Sequence, residues 1–259
     1  MNKDYTIGID IGSTSAKTVV MDDAGILWQD VRPTGWSSTM AAEKIQNDLA
    51  LAGLPVGNGR VVATGYGRVS VPFADRTITE ITCHARGAAW LYEGDPLLVI
   101  DIGGQDTKII RVAGGQARDF LMNDKCSAGT GRFLEIMAGT LGMDPASLCE
   151  LARQGSSARI SSMCTVFAES EVVSLVGRGE AKENIAFAIL DSITDKVRTQ
   201  AGRFTDGDEA VCLTGGLCEC PNLVESLSAK LKRPLAVRPE ARFAGAIGAA
   251  LSARRPPAA

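Results

Sequence analysis

Aromatic residues, histidine and excess charge are all scarce in this chain of 259 residues. Aromatic side chains make up 5% of it and there is one histidine, so the core must be built from Val, Ile, Leu and Ala. The formal net charge is only −3, and no basic stripe is interleaved with aromatic residues, which argues against nucleic acid as a main partner. No apolar run is long enough to span a bilayer, and no signal-peptide core precedes the first strand pattern. We therefore expect a soluble, cytoplasmic protein with neither a membrane nor a nucleic acid as a partner.

The common phosphate-binding motifs of nucleotide enzymes are also missing. The chain contains no G-x-x-x-x-G-K-[ST] sequence, and no G-x-G-x-x-G opens a helix after the first strand pattern. These absences exclude the P-loop and Rossmann classes.

Seven cysteines are present, but none belongs to a C-x-x-C pair. The odd number argues against a closed disulfide framework, and in a reducing compartment such thiols are either inert core groups or metal ligands. The C-x-C pair of Cys218 and Cys220 is either a second redox pair or incidental. We interpret three others as core residues: Cys83, Cys149 and Cys212.

Two loops of one kind stand out, each between two strand-like runs. They are Ile9–Thr14, which reads Ile-Asp-Ile-Gly-Ser-Thr, and Ile100–Asp106, which reads Ile-Asp-Ile-Gly-Gly-Gln-Asp. Glycine lets backbone N–H groups approach an anion, and an aspartate at the strand end can hold Mg²⁺ through water. Two such hairpins predict two related half-domains that face each other across a nucleotide.

The predicted elements repeat in the same order as the hairpins. Three strands, a helix, a strand and a helix up to Leu91 are the order of a ribonuclease-H-like half-domain, and this order begins again at Leu97. We therefore predict an α/β fold of two lobes, 1–95 with the first hairpin and 96–239 with the second. A helix at 240–255 is expected to pack back on the first lobe, and the Pro/Ala tail is expected to fray.

Cys126 and Cys164 differ from the other cysteines because each lies where a predicted helix begins. Free N–H groups and the helix dipole favour a negatively charged group there. Two thiolates are half of what an iron–sulfur cubane needs, and a two-fold homodimer would supply four. The alternative is that both are capped thiols that hold no metal.

The segments around these two cysteines resemble the signatures of a known family. Asn123–Glu135 reads Asn-Asp-Lys-Cys-Ser-Ala-Gly-Thr-Gly-Arg-Phe-Leu-Glu, and Cys164–Val172 reads Cys-Thr-Val-Phe-Ala-Glu-Ser-Glu-Val. Both look like motifs of the ATP-dependent activators of 2-hydroxyacyl-CoA dehydratases, a family also met as the ATPase subunits of benzoyl-CoA reductase. The two hairpins likewise resemble the phosphate-1 and phosphate-2 motifs of the superfamily of actin, the heat-shock chaperone ATPase and sugar kinases.

This resemblance implies an ATPase coupled to electron transfer. The family implies a homodimer in which one [4Fe–4S] cluster bridges the subunits, and the matching ligands here would be Cys126 and Cys164 of each chain. A reduced ferredoxin or flavodoxin would supply the electron. ATP binding and hydrolysis, with Mg²⁺ present and ADP as product, would then send it to an acyl-CoA dehydratase or a related low-potential reductase.

Roles for the nucleotide-binding residues follow from the hairpins and from the family order. Asp10 and Asp101 are expected to order Mg²⁺ and its waters, and Gln105 to position the attacking water. Lys17 either neutralises phosphate charge or is a solvated group at a strand edge. The other predicted nucleotide contacts form three sets. The β- and γ-phosphates are expected to contact Gly12, Ser13, Thr14, Gly103 and Gly104, and the nucleotide is also expected to reach the segment after Cys126, which contains Gly129, Thr130 and Gly131. Adenosine is expected at Gly215 and Gly216, with Gly245 packing nearby.

Two other functions stay open at this point. A kinase of the same fold, acting on a sugar or acyl substrate, would need a catalytic aspartate such as Asp101 or Asp106, but no insertion is large enough for a sugar-binding face. A nucleotide-dependent scaffold or chaperone-like switch would carry no metal and an extra substrate-binding region. His84, the single histidine, is interpreted as a structural hydrogen-bonding residue.

Overall fold

The computed structural model describes residues 5–162, 164–204 and 207–254, and the predicted fraying of the Pro/Ala tail lies outside these residues. The described residues form two compact units. The first contains the residues up to Asp95, Val112–Arg118 and those from Arg238 onward; the second contains Pro96–Arg111 and Asp119–Val237. The functional lobes assigned from the sequence stay a prediction.

The regular elements of the described residues are ten strands and eight α-helices, with short 3₁₀ turns between them. The strands are β1 (Tyr5–Ile11), β2 (Ser15–Met21), β3 (Ile26–Pro33), β4 (Gly59–Thr64), β5 (Arg76–Thr77), β6 (Leu97–Ile102), β7 (Thr107–Ala113), β8 (Gln116–Asn123), β9 (Ala210–Gly215) and β10 (Leu235–Ala236). The helices are α1 (Ser38–Leu51), α2 (Glu80–Leu91), α3 (Gly131–Thr140), α4 (Pro145–Leu151), α5 (Thr165–Gly177), α6 (Lys182–Ala201), α7 (Pro221–Leu231) and α8 (Ala244–Ala253).

The two sheets have the same strand order. The first is β3-β2-β1-β4-β5 and the second is β8-β7-β6-β9-β10. In the first sheet β1, β2 and β3 are antiparallel neighbours, whereas β4 is parallel to β1 and β5 to β4. In the second sheet β9 is parallel to β6 and β10 to β9. The two sheets therefore have one topology, as expected of two related half-domains.

The core of each sheet is aliphatic, as the low aromatic content predicts. All six residues of β6 are buried, and so are all but the first of β1, which fits central strands covered on both faces. α1 begins at the N-cap Ser37, whose hydroxyl accepts a hydrogen bond from the Met40 amide, and it packs Ile45 and Leu49 onto the first sheet. Hydrophobic burial therefore fixes the strands that lead into the two hairpins.

Glycines allow α2 and α8 to approach each other closely in the first unit. A Cβ atom on Gly248 would lie 1.8 Å from the Cys83 carbonyl oxygen, and one on Gly87 would lie 1.8 Å from the Ala244 carbonyl oxygen. Both contacts are with backbone, which cannot move aside as a flexible side chain can. The close packing of these two helices therefore requires glycine at both positions.

The predicted order of elements is observed, but one strand was missed. β5 consists of Arg76 and Thr77, which pair in parallel with Val62 and Ala63 of β4. Both residues of β5 are exposed, so the segment has no apolar alternation from which a strand could be predicted.

Among the described residues, no helix combines the length and the apolar character that crossing a bilayer requires.

Substituting Gly248 tests the α2–α8 packing. Gly248→Ala places a methyl group against the Cys83 carbonyl, so we expect a loss of about 1–3 kcal/mol or more in the free energy of unfolding. Gly139→Ala in α3 is the matched control, because no atom lies within 4 Å of its added Cβ. That control should gain up to about 1 kcal/mol, since alanine favours a helix over glycine. Urea unfolding followed by circular dichroism measures both, and equal midpoints for the two variants would contradict the packing.

Candidate functional site

The first hairpin holds the Asp10 carboxylate between two glycines. Asp10 is the next-to-last residue of β1, and it is only 3% exposed. A Cβ atom on Gly65 would lie 2.5 Å from Asp10 Oδ1, and one on Gly245 would lie 2.6 Å from Oδ2 and 3.0 Å from His84 Nε2. Gly245, predicted to pack near adenosine, therefore lies against the Asp10 carboxylate. Larger residues at either glycine would displace this carboxylate from the strand end.

The turn of the first hairpin is closed by backbone hydrogen bonds. The Gly12 amide donates to the Ser15 carbonyl (3.1 Å), and the Thr34 hydroxyl donates to the Gly12 carbonyl (2.7 Å). Ser13 and Thr14 are half-buried, and within the described chain no hydrogen bond engages either hydroxyl. Both hydroxyls are therefore available to a ligand.

Lys17 is half-buried on the strand that follows this turn. Its ammonium nitrogen lies 3.8 Å from the point where a Cβ atom on Gly12 would stand, and Lys17 pairs across the sheet with Asp10. The positive charge therefore lies beside the glycine turn.

The second hairpin contains a buried ion cluster formed by Asp101, Asp106 and Lys108. The Lys108 ammonium is 1% exposed and donates to Asp101 Oδ2 (3.2 Å) and to Asp106 Oδ1 (2.6 Å). The Thr214 hydroxyl donates to the other oxygen of Asp101 (2.7 Å) from the neighbouring strand β9. Hydrogen bonds on both oxygens fix the orientation of the Asp101 carboxylate.

Lys108 and Thr214 were not among the residues predicted from the sequence. Lys108 follows Asp101 at the same spacing at which Lys17 follows Asp10, so the repeat itself carried the signal. Thr214 is paired with Asp101 in the second sheet just as Thr64 is paired with Asp10 in the first. The two hairpins are therefore equivalent in position, although only the second holds its lysine in a buried cluster.

The glycine turn of the second hairpin is hydrogen-bonded to the start of α3. The amides of Gly131 and Arg132 donate to the carbonyls of Gly103 (2.9 Å) and Gly104 (2.7 Å). The Thr107 hydroxyl donates to the Gly129 carbonyl in the same region (2.7 Å). These bonds connect the turn directly to the segment that follows Cys126.

Gln105, at the tip of this turn, is exposed, whereas Thr130 is fully buried as the N-cap of α3. Gln105 can therefore reach a ligand with its side chain. Thr130 instead bonds inward: its amide and its hydroxyl both donate to the Ser127 carbonyl, at 3.1 and 2.6 Å.

The loops that carry Cys126 and Cys164 are joined by their neighbouring residues. Ser127 and Thr165 share a hydrogen bond between their hydroxyls (2.7 Å). Asn123 donates from its side-chain amide to the Cys126 carbonyl (2.8 Å). Both thiols are free; that of Cys126 is half-buried and that of Cys164 is exposed. The structure therefore brings the two predicted ligand segments together in the second unit.

One detail of the cysteine prediction was wrong. Cys164 is the N-cap of α5, as expected, but Cys126 does not lie at a helix N-terminus. The turn from Ser127 to Thr130 separates it from α3, whose N-cap is Thr130. Gly129 adopts a positive φ of 84° in this turn, which explains why the helix cannot begin earlier.

The two thiols have the chemistry of iron–sulfur ligands, but one chain supplies only two of them. Cys126 and Cys164 are free thiols on adjoining loops, and thiolates are the ligands of iron–sulfur clusters. No group of three or more Cys, His, Asp or Glu residues in the described chain could hold a metal ion. One chain thus offers two thiols, which fits half of a four-thiolate site.

A cavity of about 260 Å³ lies beside the end of β9 in the second unit. Gly216 and Leu217 form one side of it, the end of α4 contributes Cys149, and Cys220 is the N-cap of α7. Gly215 has a positive φ of 85°, and a Cβ atom there would lie 2.2 Å from the Ile102 carbonyl oxygen. Of the two glycines predicted to admit adenosine, Gly216 therefore lines a cavity and Gly215 precedes it at the end of β9.

Two other cysteines behave as core residues. Burial raises the pKa of Cys83 to about 12, and burial raises the pKa of Cys212 to about 12 as well. Thiols of this kind stay protonated and unreactive at neutral pH. His84 is also buried, and its Nε2 lies 3.7 Å from Glu80.

Two sheets of one strand order, each with an aspartate and a glycine turn after its first strand, define a nucleotide-binding ATPase of the actin-like fold. The sequence model of the BadF/BadG/BcrA/BcrD ATPase family matches residues 7–253. The chain belongs to this family and is an ATPase.

Similar proteins agree with this assignment. The chain is 40% identical to the activator of lactoyl-CoA dehydratase of Anaerotignum propionicum over 253 residues, which cover 96% of this chain and 97% of that protein. Its structure is similar to that of component A of (R)-2-hydroxyglutaryl-CoA dehydratase from Acidaminococcus fermentans, with a TM-score of 0.90, 38% identity and 96% of each chain covered. The activator of 2-hydroxyisocaproyl-CoA dehydratase from Clostridium difficile, solved with bound ADPNP, gives a TM-score of 0.89 at 35% identity over 96% of this chain and 94% of that one. The resemblance found in the sequence is confirmed.

A more distant likeness concerns the fold alone. The ROK hexokinase of Thermus thermophilus has a TM-score of 0.54 at 17% identity, covering 96% of this chain and 98% of that one. The predicted α/β fold class is confirmed.

The ion cluster of the second hairpin can be tested by removing its cation. Lys108→Met leaves two buried carboxylates without their ammonium partner, so we expect the free energy of unfolding to fall by about 3–5 kcal/mol. Lys17→Met is the matched control, because Lys17 has the equivalent position in the first hairpin but is half-buried. Its cost should stay below about 1 kcal/mol. Urea unfolding without nucleotide measures both variants, and similar losses would show that Lys108 does not hold the hairpin together.

Proposed function

We propose that this protein is an ATP-hydrolysing activator that delivers a low-potential electron to an acyl-CoA dehydratase or a related reductase. One observation carries the proposal: hydrogen bonds join the glycine turn at Gly103 and Gly104 to the start of α3, directly after the Cys126 loop. A nucleotide bound at this turn would therefore act on the loop that carries a thiol. ATP can shift that loop only if it binds one arrangement better than the other.

The second unit offers a nucleotide both its hairpin and the cavity beside β9, and the first unit carries a hairpin of the same kind. Asp10 and Asp101 would order the waters of Mg²⁺, and the Lys108 and Thr214 contacts support a fixed orientation of Asp101. Gln105 is exposed on the turn and would position the attacking water. The hydrolysis then depends on placement and charge stabilisation rather than on a strong base.

The glycine turn of each hairpin is suited to contact phosphate. The unengaged hydroxyls of Ser13 and Thr14 support this role, and so does the Lys17 ammonium beside Gly12. We therefore favour phosphate neutralisation over a purely solvated role for Lys17. Adenosine is assigned to the cavity edged by Gly216, since its apolar and glycine walls suit a flat ring.

Cys126 and Cys164 of each of two chains would hold a shared [4Fe–4S] cluster. When bound, this cluster would supply a one-electron redox centre, with a reduced ferredoxin or flavodoxin as the donor. The residues around it act on its environment: Ser127 and Thr165 tie the two ligand loops together, and Asn123 holds the Cys126 carbonyl. Metal ligation of this kind needs a second copy of the chain.

An exposed apolar surface on α5 supports a homodimer. The helix that follows Cys164 leaves four large apolar side chains at least half exposed: Val166, Phe167, Val173 and Val176. Val166 and Val173 are seven residues apart and so share one face of the helix, and exposed apolar groups that cluster in this way mark interaction surfaces. Their position on the same helix as a ligand thiol fits an interface that would bring two Cys164 thiols towards one axis.

A kinase of the same fold is less well supported. A phosphoacceptor base needs a carboxylate oxygen free to accept a proton from the substrate hydroxyl. Both oxygens of Asp101 accept hydrogen bonds, and Asp106 is bound to the Lys108 ammonium. Neither aspartate named for that role is well placed to act as the base.

Iron analysis of cysteine variants tests the proposed function. The anaerobically purified protein should contain about four irons and four sulfides per two chains. Cys126→Ser and Cys164→Ser should each lose most of the iron, whereas Cys218→Ser, which replaces a buried thiol outside the ligand loops, should keep it. ATP hydrolysis is measured on the same samples. Full iron content in either ligand variant, or no iron in the unmodified protein after reconstitution, would contradict the proposal.

A further inference from the structure

Cys149 and Cys220 form a thiol pair that the proposed mechanism does not use. Cys149 lies on α4, Cys220 is the N-cap of α7, and both are buried, at 8% and 5% exposed. Both side chains line one cavity, and hydrogen bonding between the two thiols is the first cause of the shift in the pKa of each. The Asn222 side chain also lies near the Cys149 carbonyl (3.4 Å), so α4 and the start of α7 are in contact at this point.

The pair lines the cavity assigned to adenosine. Cys149 and Cys220 belong to the same cavity lining as Gly216 and Leu217. Because the cavity measures about 260 Å³, a small molecule can reach the two buried thiols through it. Cys218 is not part of this wall. The C-x-C pair considered from the sequence is therefore not the pair that the structure brings together.

The two thiols differ in reactivity. The hydrogen bond from Cys149 is the main cause that lowers the pKa of Cys220, and the amides of Leu223 and Asn222 at the start of α7 act in the same direction, although burial opposes them. The pKa of Cys149 is raised, first by its hydrogen bond to Cys220 and then by burial. Cys220 is thus the nucleophile of the pair and Cys149 the resolving thiol.

We propose that Cys149 and Cys220 are a peroxide-sensitive dithiol whose oxidation to a disulfide reshapes the adenosine cavity and weakens ATP binding. The proposal rests on the proposed function in one respect, that this cavity receives the nucleotide. Its physical basis is that both thiols line one cavity and that α4 and the start of α7 are in contact beside it.

The oxidation requires two steps. The Cys220 thiolate attacks one oxygen of hydrogen peroxide; an S–O bond forms, the O–O bond breaks, and the departing hydroxide takes up a proton to become water. Cys149 sulfur then attacks the Cys220 sulfenic acid; the S–S bond forms, the S–O bond breaks, and the hydroxyl leaves as a second water with the thiol proton. Two thiols lose two electrons and two protons, and one peroxide is reduced to two waters.

The disulfide would change the cavity because it shortens the distance between its two walls. Bonded sulfurs stand about 2.05 Å apart, much closer than two hydrogen-bonded thiols. Forming the bond therefore draws the end of α4 towards the start of α7, next to Gly216. A cavity shaped for a flat ring loses its fit, and reduction by a dithiol restores it.

The test combines peptide mapping with ATP binding. The full-length protein, purified anaerobically, is treated with hydrogen peroxide, and the affinity for a fluorescent ATP analogue is measured before and after treatment and after dithiothreitol. Cys149→Ser and Cys220→Ser remove the pair, and Cys218→Ser is the matched control because it keeps the pair and lies outside the wall. We expect a Cys149–Cys220 disulfide in the peptide map and a loss in affinity of about tenfold or more in the unmodified protein and in Cys218→Ser.

The serine variants separate this effect from general oxidation. Cys149→Ser and Cys220→Ser should change affinity by less than about twofold after the same treatment, although any metal centre is exposed to the same peroxide. A mapped disulfide without a change in affinity, equal losses in all four proteins, or a disulfide between other cysteines would overturn the proposal. Failure of the reduced protein to bind ATP would instead contradict the proposed function, and the peptide map would still decide whether the dithiol forms.

Discussion

Hydrogen bonds from the first amides of α3 to the carbonyls of Gly103 and Gly104 constrain the whole second unit. The first amides of a helix have no partner within the helix, so they must bond to something else. Here they bond to the hairpin turn, at 2.9 and 2.7 Å, and the helix start cannot move without that turn. Gly103 itself must lack a side chain, because a Cβ atom would lie 2.3 Å from Asp106 Oδ1. The turn, the ion cluster and the loop that bears Cys126 are therefore one connected structure.

The duplication of the fold did not preserve identical chemistry in the two hairpins. Each sheet presents an aspartate at the end of its first strand and a lysine at the same spacing on the next, Asp10 with Lys17 and Asp101 with Lys108. Lys108 is buried and binds carboxylates, whereas Lys17 is half-buried beside a glycine turn. Burial thus assigns one lysine to the stability of its hairpin and leaves the other near the place proposed for phosphate. Equal spacing in sequence does not imply equal roles.

Much of the fold was predictable because apolar strands and glycine turns are local signals. The two hairpins were found in this way, whereas the exposed pair that forms β5 carries no such pattern. That Cys149 and Cys220 line one cavity could not be predicted, because it depends on how α4 and α7 pack. Cys126 was expected at the start of α3, but a turn that contains the left-handed Gly129 separates it from the helix. Local pattern therefore identified the motifs, and tertiary packing decided which side chains meet.

The central claim is that a nucleotide at the hairpins acts on the cysteine loops through the start of α3. The most direct measurement is the rate at which an iron chelator removes iron from the anaerobic, reduced protein in the presence of Mg-ATP and of Mg-ADP. Coupling between the sites predicts rates that differ by about fivefold or more, with the difference reduced in Thr107→Val, which loses the hydroxyl bond to the Gly129 carbonyl. Equal rates with both nucleotides at saturation would contradict the claim.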